Sequence, residues 1–96
     1  MRHLLIGELN ATPVGAVRFD TEGSDAVVSI FLCPDHIGQG LGRSLLHAAE
    51  RWLKLQHPEI VVLQAETLVE NFPSRRLFER CGYQLQPFRF TKGVTP

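Results

Sequence analysis

Long apolar runs are missing from this chain of 96 residues. No stretch approaches the roughly 20 apolar residues that a membrane-spanning helix needs. The opening Met1-Arg2-His3-Leu4-Leu5-Ile6-Gly7 meets an acid at Glu8, too short an apolar run for a signal peptide. Cysteine is scarce: Cys33 and Cys81 lie far apart and match no metal-ligand or redox spacing. They read as buried thiols of a cytoplasmic protein, with neither a disulfide framework nor a metal site. Charge of one sign is lacking too. Ten Lys and Arg balance ten Asp and Glu, so a basic face for nucleic acid or an anionic membrane is not expected. Repeats, linkers and low-complexity tracts are absent. What remains is one small domain, 1–96, burying roughly two-thirds of the surface its unfolded chain exposes.

The apolar residues that are present fall into short segments. Leu4–Leu9 and Val14–Phe19 read as strands divided by the turn signal Asn10-Ala11-Thr12-Pro13. After the polar turn Asp20–Asp25, Ala26–Leu32 reads as a third strand, and three strands on short turns suggest an antiparallel meander. Leu41–Leu55 has a helical period. Leu41, Leu45, Leu46, Ala49, Trp52 and Leu53 share one face, with Arg43, His47, Glu50, Arg51 and Lys54 mostly on the other. His57-Pro58 closes it. Ile60–Ala65 is a short buried strand. Asn71 and Pro73 open a second helix that ends near Arg80 with Gly82 as its cap, and Tyr83–Thr91 reads as a last strand bent at Pro87. The order is β-β-β-α-β-α-β, a mixed sheet of the α+β kind within the α/β class.

Between the third strand and the first helix lies Pro34-Asp35-His36-Ile37-Gly38-Gln39-Gly40-Leu41-Gly42-Arg43-Ser44. Alternating glycines allow positive φ and let a ligand approach the main chain. The helix start adds unpaired N–H groups and about half a positive charge. The combination suits a phosphate or pyrophosphate. It is not a P-loop, which needs a lysine after the glycines. It also departs from the dinucleotide G-x-G-x-x-G, being G-x-G-x-G after antiparallel strands.

This Pro-x-x-x-Gly-x-Gly-x-Gly-x-x-Leu-Leu pattern resembles motif A of the GNAT N-acetyltransferases. Asn71-Phe72-Pro73-Ser74-Arg75-Arg76-Leu77-Phe78-Glu79-Arg80-Cys81-Gly82-Tyr83 resembles that family's motif B. The likeness covers roughly Val14 to Phe90 and implies a GNAT-like acyl-CoA N-acyltransferase fold. It further implies acetyl-CoA as cosubstrate and an amine acceptor, which is a small molecule, an amino sugar or a protein. By position, Ile30, Phe31, Leu32 and Cys33 would line the pantetheine arm, with the Leu32 N–H near the acetyl oxygen. Ile37, Gly38, Gln39, Gly40, Leu41, Gly42 and Arg43 would hold the pyrophosphate. Asn71, Ser74 and Phe78 of the second helix would flank the pantetheine and adenine. Glu66, five residues before Asn71, matches the general base of members that acetylate protein N-termini. Glu70 and His36 are weaker competitors.

Three departures from the family pattern bear on activity. Ile37 stands where Arg or Gln is common. Phe78 stands where a tyrosine often protonates the thiolate, so either the thiolate leaves with solvent help, or Tyr83 substitutes, or activity is slight. The family also places a strand and two helices before the hairpin, whereas this chain starts at the hairpin, as a fragment or as a short form. A sheet edge at Met1–Leu9 would need covering, which favours a homodimer. A catalytically degenerate acyl-CoA-binding or sensor module is the competing expectation. A third is an α/β domain that holds another phosphate ligand.

Overall fold

The structure is a computed structural model that describes residues 1–33, 40–65, 72–86 and 89–94. Strands β1 (Arg2–Leu9), β2 (Thr12–Glu22) and β3 (Asp25–Leu32) come first, followed by helix α1 (Leu41–Gln56) and strand β4 (Val62–Ala65). Helix α2 (Phe72–Arg80) and strands β5 (Gln84–Gln86) and β6 (Arg89–Gly93) complete the chain. One sheet runs in the order β1-β2-β3-β4-β6-β5. All neighbours are antiparallel except β3 and β4, which are parallel from Asp25↔Val62 to Val28↔Ala65. The expected class and element order hold.

Local chemistry explains where the boundaries differ from the sequence reading. The first hairpin turns on Asn10 and Ala11, with φ of 52° and 66°, a two-residue turn whose twist matches that of its strands. Thr12 and Pro13 therefore belong to β2. The register slips between Gly7 and Glu8, so Pro13 sits at a bulge where no regular ladder bond is asked of it. Likewise β2 runs on to Glu22, and only Gly23 and Ser24 turn the chain into β3. The segment expected as one bent final strand is a hairpin of two short ones, with β6 wedged between β4 and β5.

Both helices pack on the sheet face that carries Leu5, Val17, Phe19, Val28, Leu63 and Ala65. Phe19, Phe78, Leu46, Leu53, Leu63, Val17 and Val28 are the largest fully enclosed side chains. Burying one such side chain contributes about 1.5–3 kcal/mol. His3 of β1 meets the rings of Trp52 and His57 at 5.5 and 4.6 Å, joining the far end of α1 to the edge strand. On the opposite face Leu4, Ile6 and Phe31 remain 60%, 56% and 53% exposed. Of the two cysteines, Cys81 is buried as expected, but Cys33 is only half-buried. No described helix is long and apolar enough to cross a membrane.

Candidate active site

Among the described residues the parallel ladder β3–β4 runs from Asp25↔Val62 to Val28↔Ala65, and β3 itself continues to Leu32. The Cys33 N–H bonds the Val14 carbonyl at 2.9 Å. By the alternation of antiparallel pairing, odd-numbered groups of β3 therefore face β2. Ile30 and Leu32 thus direct their N–H and C=O groups towards β4, where no described residue pairs with them. In an open α/β sheet the usual ligand crevice lies at the carboxyl ends of the strands, beside the crossover helix.

The start of α1 forms the other wall. Gly40 is its N-cap, at φ 77° and ψ 1°, and no side chain caps it. Leu41-Gly42-Arg43-Ser44 brings no carboxylate into the first turn. Among the described residues nothing neutralises the positive end of the helix, a place that suits an anion. A Cβ on Gly40 would meet nothing within 4 Å, so this glycine serves backbone conformation. Gly42 serves close approach instead. A Cβ there would lie 3.1 Å from Leu32 Cδ1 and 3.3 Å from Leu77 Cδ2. The end of β3, the start of α1 and the middle of α2 therefore meet around Gly42.

Of the residues expected at this site, the structure brings Ile30, Phe31, Leu32 and Cys33 to the strand end and Gly40, Leu41, Gly42 and Arg43 to the helix start. Phe31 is exposed, with the Arg18 guanidinium 5.9 Å from its ring centre. Ile37, Gly38, Gln39, Glu66 and Asn71 lie outside the described residues, and Ser74 is described only as part of the α2 backbone. Ala65, the residue before Glu66, is the last described residue of β4 and is buried. Phe78 is 2% exposed and packs edge-on against Tyr83 with ring centres 5.1 Å apart. These rings close the end of α2, where Tyr83 N–H bonds the Phe78 carbonyl and Gly82 N–H that of Glu79, the two bonds of a Schellman cap.

Tyr83 is also interior. Its hydroxyl donates to Glu50 Oε2 at 2.6 Å. Burial, with the Glu50 carboxyl next, pushes its pKa well above the usual phenol range. Glu50, expected on the polar face of α1, is buried and also accepts from Lys92 Nζ at 3.2 Å; Lys92 donates to the Cys81 carbonyl at 2.6 Å. One carboxylate thus ties α1, the end of α2 and β6 together. The signal was present in the sequence. Position 50 falls in the stripe Leu46, Ala49, Leu53, so an acid there sits on the apolar face. No cluster of metal-ligating side chains occurs among the described residues.

These shifts set an alkaline limit. Burial also raises the Cys81 thiol. Unfolded, Cys81 and Tyr83 lose protons near their ordinary values of 9.0 and 10.0, whereas the folded chain keeps them. The native state then binds more protons, so stability falls as pH rises through that range. Tyr83→Phe is expected to flatten this fall. It also lowers stability at neutral pH by about 1–3 kcal/mol, through loss of a donor to a buried carboxylate. Thermal melts from pH 7 to pH 11 check both; a variant as stable as the parent, with the same alkaline slope, would remove the hydroxyl from this account.

The family model described as acetyltransferase (GNAT) family matches residues 2–83. No curated protein sequence matches the chain. Among solved structures, the aminoglycoside acetyltransferase AAC(6')-Ib in complex with coenzyme A has a TM-score of 0.84 at 20% identity, over 96% of this chain and 66% of its own. The GNAT-family acetyltransferase from Streptococcus pneumoniae has a TM-score of 0.87 at 17% identity, over 97% and 66%. The PaiA N-acetyltransferase from Thermoplasma acidophilum, in complex with coenzyme A, has a TM-score of 0.86 at 17% identity, over 97% and 61%. The chain thus spans just under two-thirds of the length of the structures it resembles. Its parallel β3–β4 pair, glycine-led helix and family match over 2–83 agree: this chain belongs to the GNAT acetyltransferase family.

Proposed function

We propose that this chain binds acetyl-CoA in the cleft between β3 and α1 and transfers its acetyl group to a primary amine. The observation that carries the reading is that β3 runs on to Leu32, beyond Val28, the last of its residues paired with a described residue of β4. It leaves the Ile30 and Leu32 main-chain groups beside the uncapped start of α1. These two strand residues would bond the amides of the pantetheine arm, and the Leu32 N–H would polarise the thioester carbonyl. Gly38–Arg43 would hold the pyrophosphate through backbone N–H groups. Bound acetyl-CoA supplies an activated acyl carbon and a thiolate leaving group. Glu66, following the last residue of β4, is our candidate to take the proton from the attacking amine. Tyr83 is an unsuitable proton donor to the thiolate, because its hydroxyl is held by Glu50 in the interior. We therefore assign that proton to solvent. The acceptor is a small amine, an amino sugar or a protein amine, in a protein that works in the cytoplasm.

One observation favours a second reading, a binding or sensor module without turnover. Phe78 and Tyr83 are both enclosed, so no described phenol faces the cleft. Calorimetry with acetyl-CoA, joined to a thiol-release assay over an amine panel, separates the two. We expect binding and release. Binding without release from any amine would leave the sensor module, and absence of binding would overturn both readings. Glu66→Gln is expected to lower kcat by at least about a hundredfold, the lower range for general-base catalysis, with unchanged acetyl-CoA affinity. An unchanged kcat and pH–rate profile would remove Glu66 as the base.

A further inference from the structure

Charges that balance along the chain separate in the fold. Glu50 and Glu79 are the only acids of the two helices, against Arg43, Arg51, Lys54, Arg75, Arg76 and Arg80. Glu50 is buried and already bonded by Tyr83 and Lys92. The other described acids, Glu8, Asp20, Glu22, Asp25 and Glu59, belong to strands or to a turn. The helix layer is therefore basic.

These cations gather along one seam. At about 100° per residue, α1 has two flanks. Leu41, Leu45, Ala48 and Trp52 face β1. Arg43 and His47 fall on the other flank with Glu50, whose carboxyl reaches Tyr83 just past α2. There α2 comes alongside, with Leu77 against Gly42. Arg80 follows Leu77 by three residues and Arg76 precedes Arg80 by four, so both stand on the outer side of that contact. Glu79 falls about 100° round the helix from Arg80, away from α1. Arg43, Arg76 and Arg80 are exposed, and none has an ion-pair partner among the described residues. The charge of Arg43 acts across the seam: burial raises the Cys81 thiol and the Glu50 carboxyl adds to this, while Lys92 and Arg43 oppose it. Guanidiniums gathered without a free described acid repel one another, and an anion between them relieves the repulsion.

We propose that the seam between α1 and α2 holds a phosphate monoester, and that its occupant is the ribose phosphate of CoA. The inference rests on the placement of the CoA pyrophosphate at the start of α1. Arg76, next to Leu77, stands level with that start. Arg80 and His47 stand one turn further on, about 6 Å along the helix axes. In the cofactor only the ribose separates the two phosphate groups, a span of the same order. Arginine forks match phosphate oxygens in pairs, and the His47 ring adds a donor. Arg76, Arg80 and His47 thus select the phosphorylated cofactor, while the helix start binds the part that CoA shares with its dephosphorylated form.

Calorimetry with CoA and with 3′-dephospho-CoA at low salt tests the proposal. CoA is expected to bind at least about tenfold more tightly, the lower range for one charge-assisted hydrogen bond. Equal affinities would overturn the proposal and leave the pyrophosphate placement standing; binding of neither would overturn both. Arg76→Gln combined with Arg80→Gln should bring CoA down to the affinity of 3′-dephospho-CoA, whose own affinity should stay within about threefold of the parent's. Both positions are exposed and glutamine is a comparable helix former, so the melting temperature should hold. Arg51→Gln combined with Lys54→Gln removes the same charge about 12–16 Å beyond Arg43 along α1 and should keep the preference. A preference that survives the loss of Arg76 and Arg80, an equal loss for both ligands, or a preference abolished by the Arg51 and Lys54 changes would each overturn the assignment. Inorganic phosphate titrated alone represents a free anion. If it binds the parent but not the Arg76→Gln, Arg80→Gln variant, while CoA and 3′-dephospho-CoA bind alike, the occupant is a separate phosphate and the cofactor assignment falls.

Discussion

Gly40→Asp is expected to weaken acetyl-CoA binding by at least about a hundredfold while leaving the fold in place. Steric room is not the issue, because a Cβ at this position meets nothing within 4 Å. The backbone is strained for any other residue, with φ at 77°; the left-handed conformation costs about 1–2 kcal/mol, and less for Asp than for most side chains. An aspartate at an N-cap also returns about 1 kcal/mol by bonding free N–H groups. Stability should therefore change little. The effect on binding is different in kind. The new carboxylate occupies the helix start on which our reading places the pyrophosphate. Two like charges about 4 Å apart near a protein surface repel by about 4 kcal/mol, enough for a hundredfold loss after partial screening. Gly40→Ala carries the same backbone cost without charge and is expected to stay within about fivefold of the parent. Calorimetry with acetyl-CoA and thermal melts of both variants check this. If aspartate binds no worse than alanine, the pyrophosphate does not lie at the start of α1.

Glu50→Ala should have the largest effect on stability. Its carboxylate is 7% exposed and accepts from Tyr83 Oη at 2.6 Å and Lys92 Nζ at 3.2 Å. Removing one partner of a buried charged group costs about 3–5 kcal/mol, out of the roughly 5–15 kcal/mol available to a whole domain. The melting temperature should fall by more than about 12 °C, at 4–8 °C per kcal/mol for a domain of this size. Glu50→Gln keeps an acceptor for the tyrosine and should lose less. Pairing Glu50→Leu with Lys92→Met removes both charges and should recover part of the loss, since apolar replacements of a buried ion pair are often neutral. Strictly additive losses in that cycle would show that the two residues do not act together. The cleft depends on the same tie, because α1 starts at the glycine loop and the Schellman cap of α2 contributes the Cys81 carbonyl to Lys92.

Which of these features the sequence carried depended on the range of the interaction behind each. The helical stripe from Leu41 to Leu53, the strand from Ala26 to Leu32 and the Gly82 cap were all legible, since periodicity and glycine placement act within a few residues. The glycine loop before α1 was legible as an anion cradle for the same reason, and the motif at Asn71–Tyr83 joined it to a CoA-using family. The hairpin turn was only half legible. Asn10-Ala11-Thr12-Pro13 marked a reversal, but which two residues took positive φ depended on the register of β1 against β2 and the bulge opposite Gly7 and Glu8.

Other features came from residues distant in sequence. Nothing near Glu50 announces that Tyr83 and Lys92, 33 and 42 positions away, will meet its carboxylate. Tyr83 looked available as an acid because its hydroxyl has no local direction; packing against the Phe78 ring and the bond to Glu50 turn it inward. The pairing of β3 with β4 was not legible, because strand pairing is a long-range choice that no local pattern encodes. The sequence by itself determined the domain's class, its element order and the glycine-led helix start, all products of local periodicity and backbone freedom. Only the tertiary structure decided which acid is buried, which phenol is enclosed and which strands run parallel. Those follow from contacts that exist once the sheet has closed over α1 and α2.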